Sequence, residues 1–168
     1  MNFSISLRII LFFVFVGLFT ASFQIGSTTE LEREDVLELY AGFIAALENA
    51  DSTSIFLNNL TVGLPSFIPG FGPVWGIYSA WSTGVSLSAI VSMTPELSDF
   101  NPLDIFYGSP FGFIELIAYS IGMSRGAFLI FSFVKRHSIK LILKWTLVEM
   151  GIVVALLGIG GAVEIVMI

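Results

Sequence analysis

Residues 111–134, FGFIELIAYSIGMSRGAFLIFSFV, and 141–166, LILKWTLVEMGIVVALLGIGGAVEIV, decide how this chain folds. A helix needs about 20 apolar residues to cross the hydrocarbon core of a bilayer, and each stretch is long enough. Each also carries an ionisable residue deep inside it, Arg125 in the first and Glu149 in the second. The linker 135–140 is short, so the two helices form an antiparallel hairpin. At about 1.5 Å of rise per residue, Arg125 lies roughly 15 Å before Lys135 and Glu149 roughly 13 Å after Lys140. The two therefore share one depth, and the spacing predicts that they pair, because a pair costs far less than two lone charges in hydrocarbon. Such a pair either fixes helix register or forms part of a proton or ion path.

The rest of the chain has the same character. Of its 168 residues 55% are hydrophobic and 12% charged, with a mean hydropathy of +0.92. An ordinary soluble domain carries about 25% charged residues, so the bilayer must serve as solvent for most of this chain. That excludes a soluble enzyme and a nucleic-acid binder, and makes 1–168 a single integral membrane domain. Three more apolar stretches fall at about 7–25, 54–71 and 74–93. The first has the look of a signal peptide, with Arg8 ahead of an apolar core and small residues at Thr20, Ala21 and Ser22, and is read as an uncleaved span. The second holds Pro65 and Pro69, and only Phe71, Gly72 and Pro73 separate it from the third. Two full spans are expected there, the first broken near Pro65; a re-entrant hairpin is the alternative, and loop parity fits both. The fold class expected is all-α: a polytopic membrane helix bundle of about five transmembrane helices plus one amphipathic outer-surface helix at about 30–49.

Charge sets the orientation. Arg8, Lys135, Arg136, Lys140 and Lys144 mark the cytoplasmic side, with His137 part of the same anchor. Segments 26–53 and 94–110 hold ten acids against Arg33 alone and belong outside. The N-terminus is then cytoplasmic and the C-terminus outside, in the plasma membrane; a surface protein without disulfides fits a prokaryotic cell. In the outer helix Thr29 and Glu32 have capping-box spacing, and Val36, Tyr40, Phe43, Ile44 and Leu47 recur at helical intervals. Its acidity suits solvation, a protein partner or a cation better than anionic lipid.

Two sets of side chains stand out within the spans. Gly76, Ala80, Gly84 and Ser88 recur every four residues, and Gly122 and Gly126 repeat that spacing, giving small-residue faces that let helices approach closely. Packing within the chain is the plain reading and homo-oligomerisation the alternative. Asn58 and Asn59 open the second stretch, while Ser109 suits an N-cap and Pro110 the first helical position ahead of Glu115. Asn58, Asn59 and Glu115 are expected to meet as a polar cluster near the outer interface, where Glu164 also falls. The cluster either ties two helices together or forms a cation or small-molecule site. No cysteine and a lone His137 leave no ordinary metal site, no cofactor motif appears, and no catalytic constellation is present.

The residues Ile55-Phe56-Leu57-Asn58-Asn59-Leu60, and later Pro110-Phe111-Gly112-Phe113-Ile114-Glu115-Leu116-Ile117-Ala118 followed by Gly122 and Gly126, resemble the stage II sporulation protein M (SpoIIM) family of integral membrane proteins. The likeness covers roughly 55–130. Asn58, Asn59, Gly112 and Glu115 match the family pattern position by position, while Phe111 stands where the family usually has His. The resemblance implies a multi-pass membrane protein that works with partners; its sporulation role is not carried over. The expected function is a non-enzymatic structural or accessory subunit of a larger membrane assembly, partnered by the lipid bilayer and other membrane subunits. The alternative is a small transporter or channel component using Asn58, Asn59 and Glu115.

Overall fold

Local capping decides where several helices begin. Ser109 accepts a hydrogen bond from the Gly112 amide at 3.1 Å and Pro110 takes the next position, so a long helix starts where the sequence places it. The outer helix is different. Thr29 donates back to the Ile25 carbonyl at 3.1 Å and closes the preceding helix instead of capping the next. The capping box lies instead at Asp51, whose carboxylate accepts from the Ser54 amide at 2.6 Å while Ser54 Oγ accepts from the Asp51 amide at 2.9 Å. Those bonds to the charged form hold the Asp51 carboxyl below its usual range.

The computed structural model describes residues 2–48, 50–135 and 138–167; the expected anchor residues Arg136 and His137 lie outside them. Among the described residues the chain is all-helical: α1 (Asn2–Ser27), α2 (Arg33–Glu48), α3 (Ser52–Gly63), α4 (Phe71–Met93), α5 (Asp104–Tyr107), α6 (Pro110–Val134) and α7 (Ile139–Met167). Short 3-10 turns occupy Pro65–Phe67 and Pro95–Leu97. Three helices are long and apolar enough to cross a membrane, over Ile5–Ser27, Pro110–Val134 and Lys140–Met167. The helix expected at about 30–49 exists as α2, lies against α4 and buries none of its side chains.

The stretch 54–71 is not one spanning helix. α3 has 12 residues, about 18 Å of rise against a hydrocarbon core of about 30 Å. It runs antiparallel along α7, with Gly161 against Ser52 and Ile55 at one end and Gly63 against Val153 and Leu157 at the other. The chain then turns through Pro65–Phe67 and starts α4 after Gly70, whose φ of 79° suits a residue without a Cβ. α4 runs back the way α3 came: Pro73 meets Gly126, Gly76 meets Met123, and Gly84 meets Phe23 and Ser27. It is thus antiparallel to α6 and parallel to the upper part of α1, where Ser22 donates to the Ile77 carbonyl at 2.8 Å. Trp75 closes the hairpin by donating its indole N–H to the Thr61 carbonyl at 3.1 Å. The tip reaches the level of Gly126, about 12 Å short of the end of α6 by helical rise.

Glycines make this burial feasible. A Cβ on Gly72 would land on the Ser66 carbonyl, and one on Gly126 would lie 2.6 Å from the same oxygen. One on Gly122 would lie 2.9 Å from Ser66 Cβ. Ser66 is fully buried between these three positions, and its hydroxyl donates to the Val62 carbonyl at 2.7 Å. The small face of α4 is likewise used within the chain. Gly76 admits Met123, Ala80 is fully buried, and Gly84 and Gly26 let the α4 and α1 backbones touch. Ser88 is only half-buried and bonds to its own Val85 carbonyl. Phe106 of α5 closes the far end against Phe19 and Phe23, edge to face.

Gly84→Leu should force α1 and α4 apart and destabilise the protein by about 3 kcal/mol, the upper range for overpacking. Thermal unfolding in detergent measures this. Gly17→Leu is the control, because nothing lies within 4 Å of a Cβ there; equal melting of both variants contradicts the α1–α4 contact.

Candidate functional site

Two polar levels are built into the bundle. At the first, α6 and α7 bring Arg125 and Glu149 together as the hairpin count requires. Arg125 Nε donates to Glu149 Oε2 at 2.7 Å, and Arg125 Nη2 donates to Oε1, a two-pronged pair. The structure adds a third member. Arg8 of α1 donates from Nη2 to Glu149 Oε2 at 2.7 Å and from Nη1 to Ser124 Oγ at 3.0 Å. Ser124 in turn donates its hydroxyl to the Ile121 carbonyl at 3.0 Å. Both guanidiniums also approach the Phe128 ring, at 5.6 Å for Arg8 and 5.5 Å for Arg125, within cation–π range. One carboxylate and one aromatic ring thus serve two cations drawn from two helices. Arg8 is therefore no terminal anchor: it is engaged inside the bundle. A signal for this was present, since Arg8 sits inside the apolar run Ile5–Ser27 and not before it.

At the second level α3 and α6 meet. Asn59 Nδ2 donates to Glu115 Oε1 at 2.5 Å, and Asn59 is 8% exposed. Gly160 of α7 lies beside the Glu115 side chain, and Glu164, one turn further on, is close enough to interact with Glu115 electrostatically. Asn58 does not join them; its side chain is exposed, and its carbonyl accepts from Thr61 at 2.6 Å. The expected cluster is thus Asn59, Glu115 and Glu164 and not Asn58, Asn59 and Glu115. Gly112 holds no ligand position: a Cβ there would strike the Ile105 carbonyl, so its bare Cα is what lets the loop before α6 pack down. Among the described residues neither Glu115 nor Glu164 has a salt-bridge partner, and no third acid or histidine completes a metal-sized group.

A packed layer separates the levels, largely apolar but holding fully buried Ser120, whose hydroxyl has no partner among the described residues. Tyr119, Met123, Val153 and Leu157 lie between them along α6 and α7, and the last three are fully buried. Phe19 stacks on Tyr119 from the α1 side at 5.5 Å between ring centres. Chemically the first level is a fixed, positively biased charge cluster, and the second an Asn59–Glu115 hydrogen bond with the Glu164 charge nearby. Comparison with known protein families, with curated proteins and with solved structures finds no match.

Glu149→Gln leaves two guanidiniums without their shared counter-charge, whereas Arg8→Gln leaves Arg125 and Glu149 still paired. The first should cost on the order of 3 kcal/mol, the lower range for breaking a buried pair, and the second distinctly less. Thermal unfolding in detergent ranks them; an Arg8→Gln loss equal to or larger than that of Glu149→Gln contradicts the shared-carboxylate arrangement.

Proposed function

We propose that the chain is an integral membrane protein of three crossing helices and one re-entrant hairpin, and that it acts as a non-enzymatic structural or accessory subunit of a larger membrane assembly. α1, α6 and α7 are the crossing helices. The α3–α4 hairpin enters and leaves on one face, so α2 and the acidic loop around Asp99 lie on the side opposite Lys135 and Lys140. With Arg8 removed from the count, the orientation rests on that one basic loop, which keeps the N-terminus cytoplasmic and the C-terminus outside.

The observation that carries the subunit reading is the close packing of Met123, Val153 and Leu157 between the two polar levels, where the Tyr119 and Ser120 hydroxyls are enclosed and no charged side chain stands. A conducting path needs polar groups in sequence across the membrane, and this layer divides them. The surface adds to it. Phe71, Trp75, Tyr78 and Trp81 form a ladder along α4 with ring centres 5.8–6.0 Å apart, of which Phe71, Tyr78 and Trp81 are exposed. Aromatic side chains enrich protein interfaces, and a ladder running along the helix differs from the belts that aromatics form at bilayer surfaces. The resemblance to the SpoIIM family also favours work with partners. A second reading, a cation-handling component, draws on Glu115 and Glu164, two acids near enough to repel each other at the second level.

Purification in mild detergent, with a photo-crosslinking side chain at Tyr78, tests the choice. A second chain should be captured in fixed ratio through that position. A lone monomer that moves a cation across liposomes contradicts the subunit reading and supports the second.

Because the chain has no cysteine, single-cysteine labelling reads the topology cleanly. Pro69→Cys at the hairpin tip should resist a membrane-impermeant thiol reagent from both sides, whereas Ser138→Cys labels from the cytoplasmic side. Labelling of the Pro69 position at the Ser138 rate means that 54–71 crosses fully.

A further inference from the structure

The first polar level ends in a groove. A cavity of about 280 Å³ opens on the flank of the bundle, with Arg8 and Glu149 at one end and Ile9, Phe12, Phe13, Ile121 and Ile152 as its walls. Phe13 and Ile9 are more than half exposed, so the walls are open to whatever surrounds the protein. The polar end is not neutral. Two guanidiniums face one carboxylate, which leaves one net positive charge. Hydrogen bonding is incomplete in the same sense. Glu149 takes three donors on its two oxygens, while Arg8 uses Nη1 and Nη2 and has no acceptor at Nε among the described residues. What the groove lacks is therefore an acceptor carrying negative charge, attached to something apolar.

We propose that this groove binds one anionic membrane phospholipid, its phosphate against Arg8 and part of an acyl chain along Phe12 and Phe13. The proposal rests on the membrane reading but not on the subunit role. The charge balance selects an anionic over a zwitterionic lipid, since the latter brings no net charge to offset the second guanidinium. Depth permits the contact. Arg8 lies about 9 Å along α1 from Asn2 by helical rise, and a cation within a bilayer draws phosphate and water inward through local thinning. The phosphate supplies the acceptor for Arg8 Nε and the spare N–H groups, and the bond is charge-assisted. Arg125, held by both prongs to Glu149 and 5% exposed, contributes charge and not direct contact.

Native mass spectrometry of the full chain in detergent, titrated with phosphatidylglycerol or phosphatidylcholine of the same acyl composition, tests this. The wild type should retain one phosphatidylglycerol with at least about a fivefold preference over phosphatidylcholine, a difference of about 1 kcal/mol. Arg8→Gln should reduce the preference to less than about twofold, and Arg8→Lys should keep most of it. Ile9→Trp, which fills the groove and leaves both arginines in place, should weaken retention of both lipids; it provides the readout if Arg8→Gln does not fold. Equal retention of the two lipids by the wild type overturns the proposal, as does a preference unchanged by Arg8→Gln or a retention unchanged by Ile9→Trp. If inorganic phosphate displaces the lipid at equal concentration, the groove takes no part, and the proposal fails in that half. Labelling of the Pro69→Cys position is independent of these outcomes, so failure of lipid binding and failure of the membrane topology are separable.

Discussion

Among the described residues Glu149 is the only carboxylate that reaches two arginines, and three helices converge on it. α6 supplies Arg125, α1 supplies Arg8, and α7 supplies the acid itself. In an apolar surrounding, charge that is not paired locally has no other source of compensation. The requirement therefore fixes more than one contact. It sets the register of α6 against α7, and it pins the lower part of α1 to both. Once these three helices are held, a cleft remains on the other side of the bundle, bounded by α1, α6 and α7, and the α3–α4 hairpin fills it.

Filling that cleft poses a second problem, which glycine resolves. Non-helical backbone away from water must satisfy its polar groups within the protein. The tip does so through turn bonds: the Phe67 amide to the Leu64 carbonyl at 3.1 Å, Ile68 to Pro65 at 2.9 Å, and Gly72 to Ile68 at 2.7 Å. Pro65 contributes no donor that would need a partner. The segment is then gripped by backbone, because Gly72, Gly122 and Gly126 remove the side chains that would stand between it and the flanking helices. With no water-driven burial between helices in lipid, such close contact is itself a main source of association energy.

The sequence made some of this legible and hid the rest for physical reasons. The Arg125–Glu149 pair could be read because a short linker converts residue count directly into depth. Arg8 could not be paired the same way: it is 141 positions from Glu149, and a basic residue near the start of an apolar run reads equally as an anchor. Pro65 made the break in 54–71 legible, but hydropathy measures apolar length and not continuity, so it does not choose between a broken span and a helix of 12 residues plus a turn. Asn58 and Asn59 differ by one position, about 100° around the helix, and only the packing of α3 on α6 decides which faces Glu115. Residue count puts Glu164 near the level of Glu115, but that its charge is felt at Glu115 depends on how α6 and α7 pack, which spacing alone does not give. Thr29 does not cap α2, because the chain after Ser27 continues the α1 hydrogen bonds before it turns; the capping box at Asp51 opens a different helix, α3.

The bundle depends on Glu149 acting as one shared counter-charge, and a double-mutant cycle between Arg8→Gln and Glu149→Gln in lipid nanodiscs measures that directly. Residues in one charge network should show a coupling energy of about 1 kcal/mol or more, with the double variant losing clearly less than the sum of the two single losses. Additive losses, within about 0.5 kcal/mol, would mean that Arg8 and Glu149 act independently and that α1 is held to the bundle by packing alone.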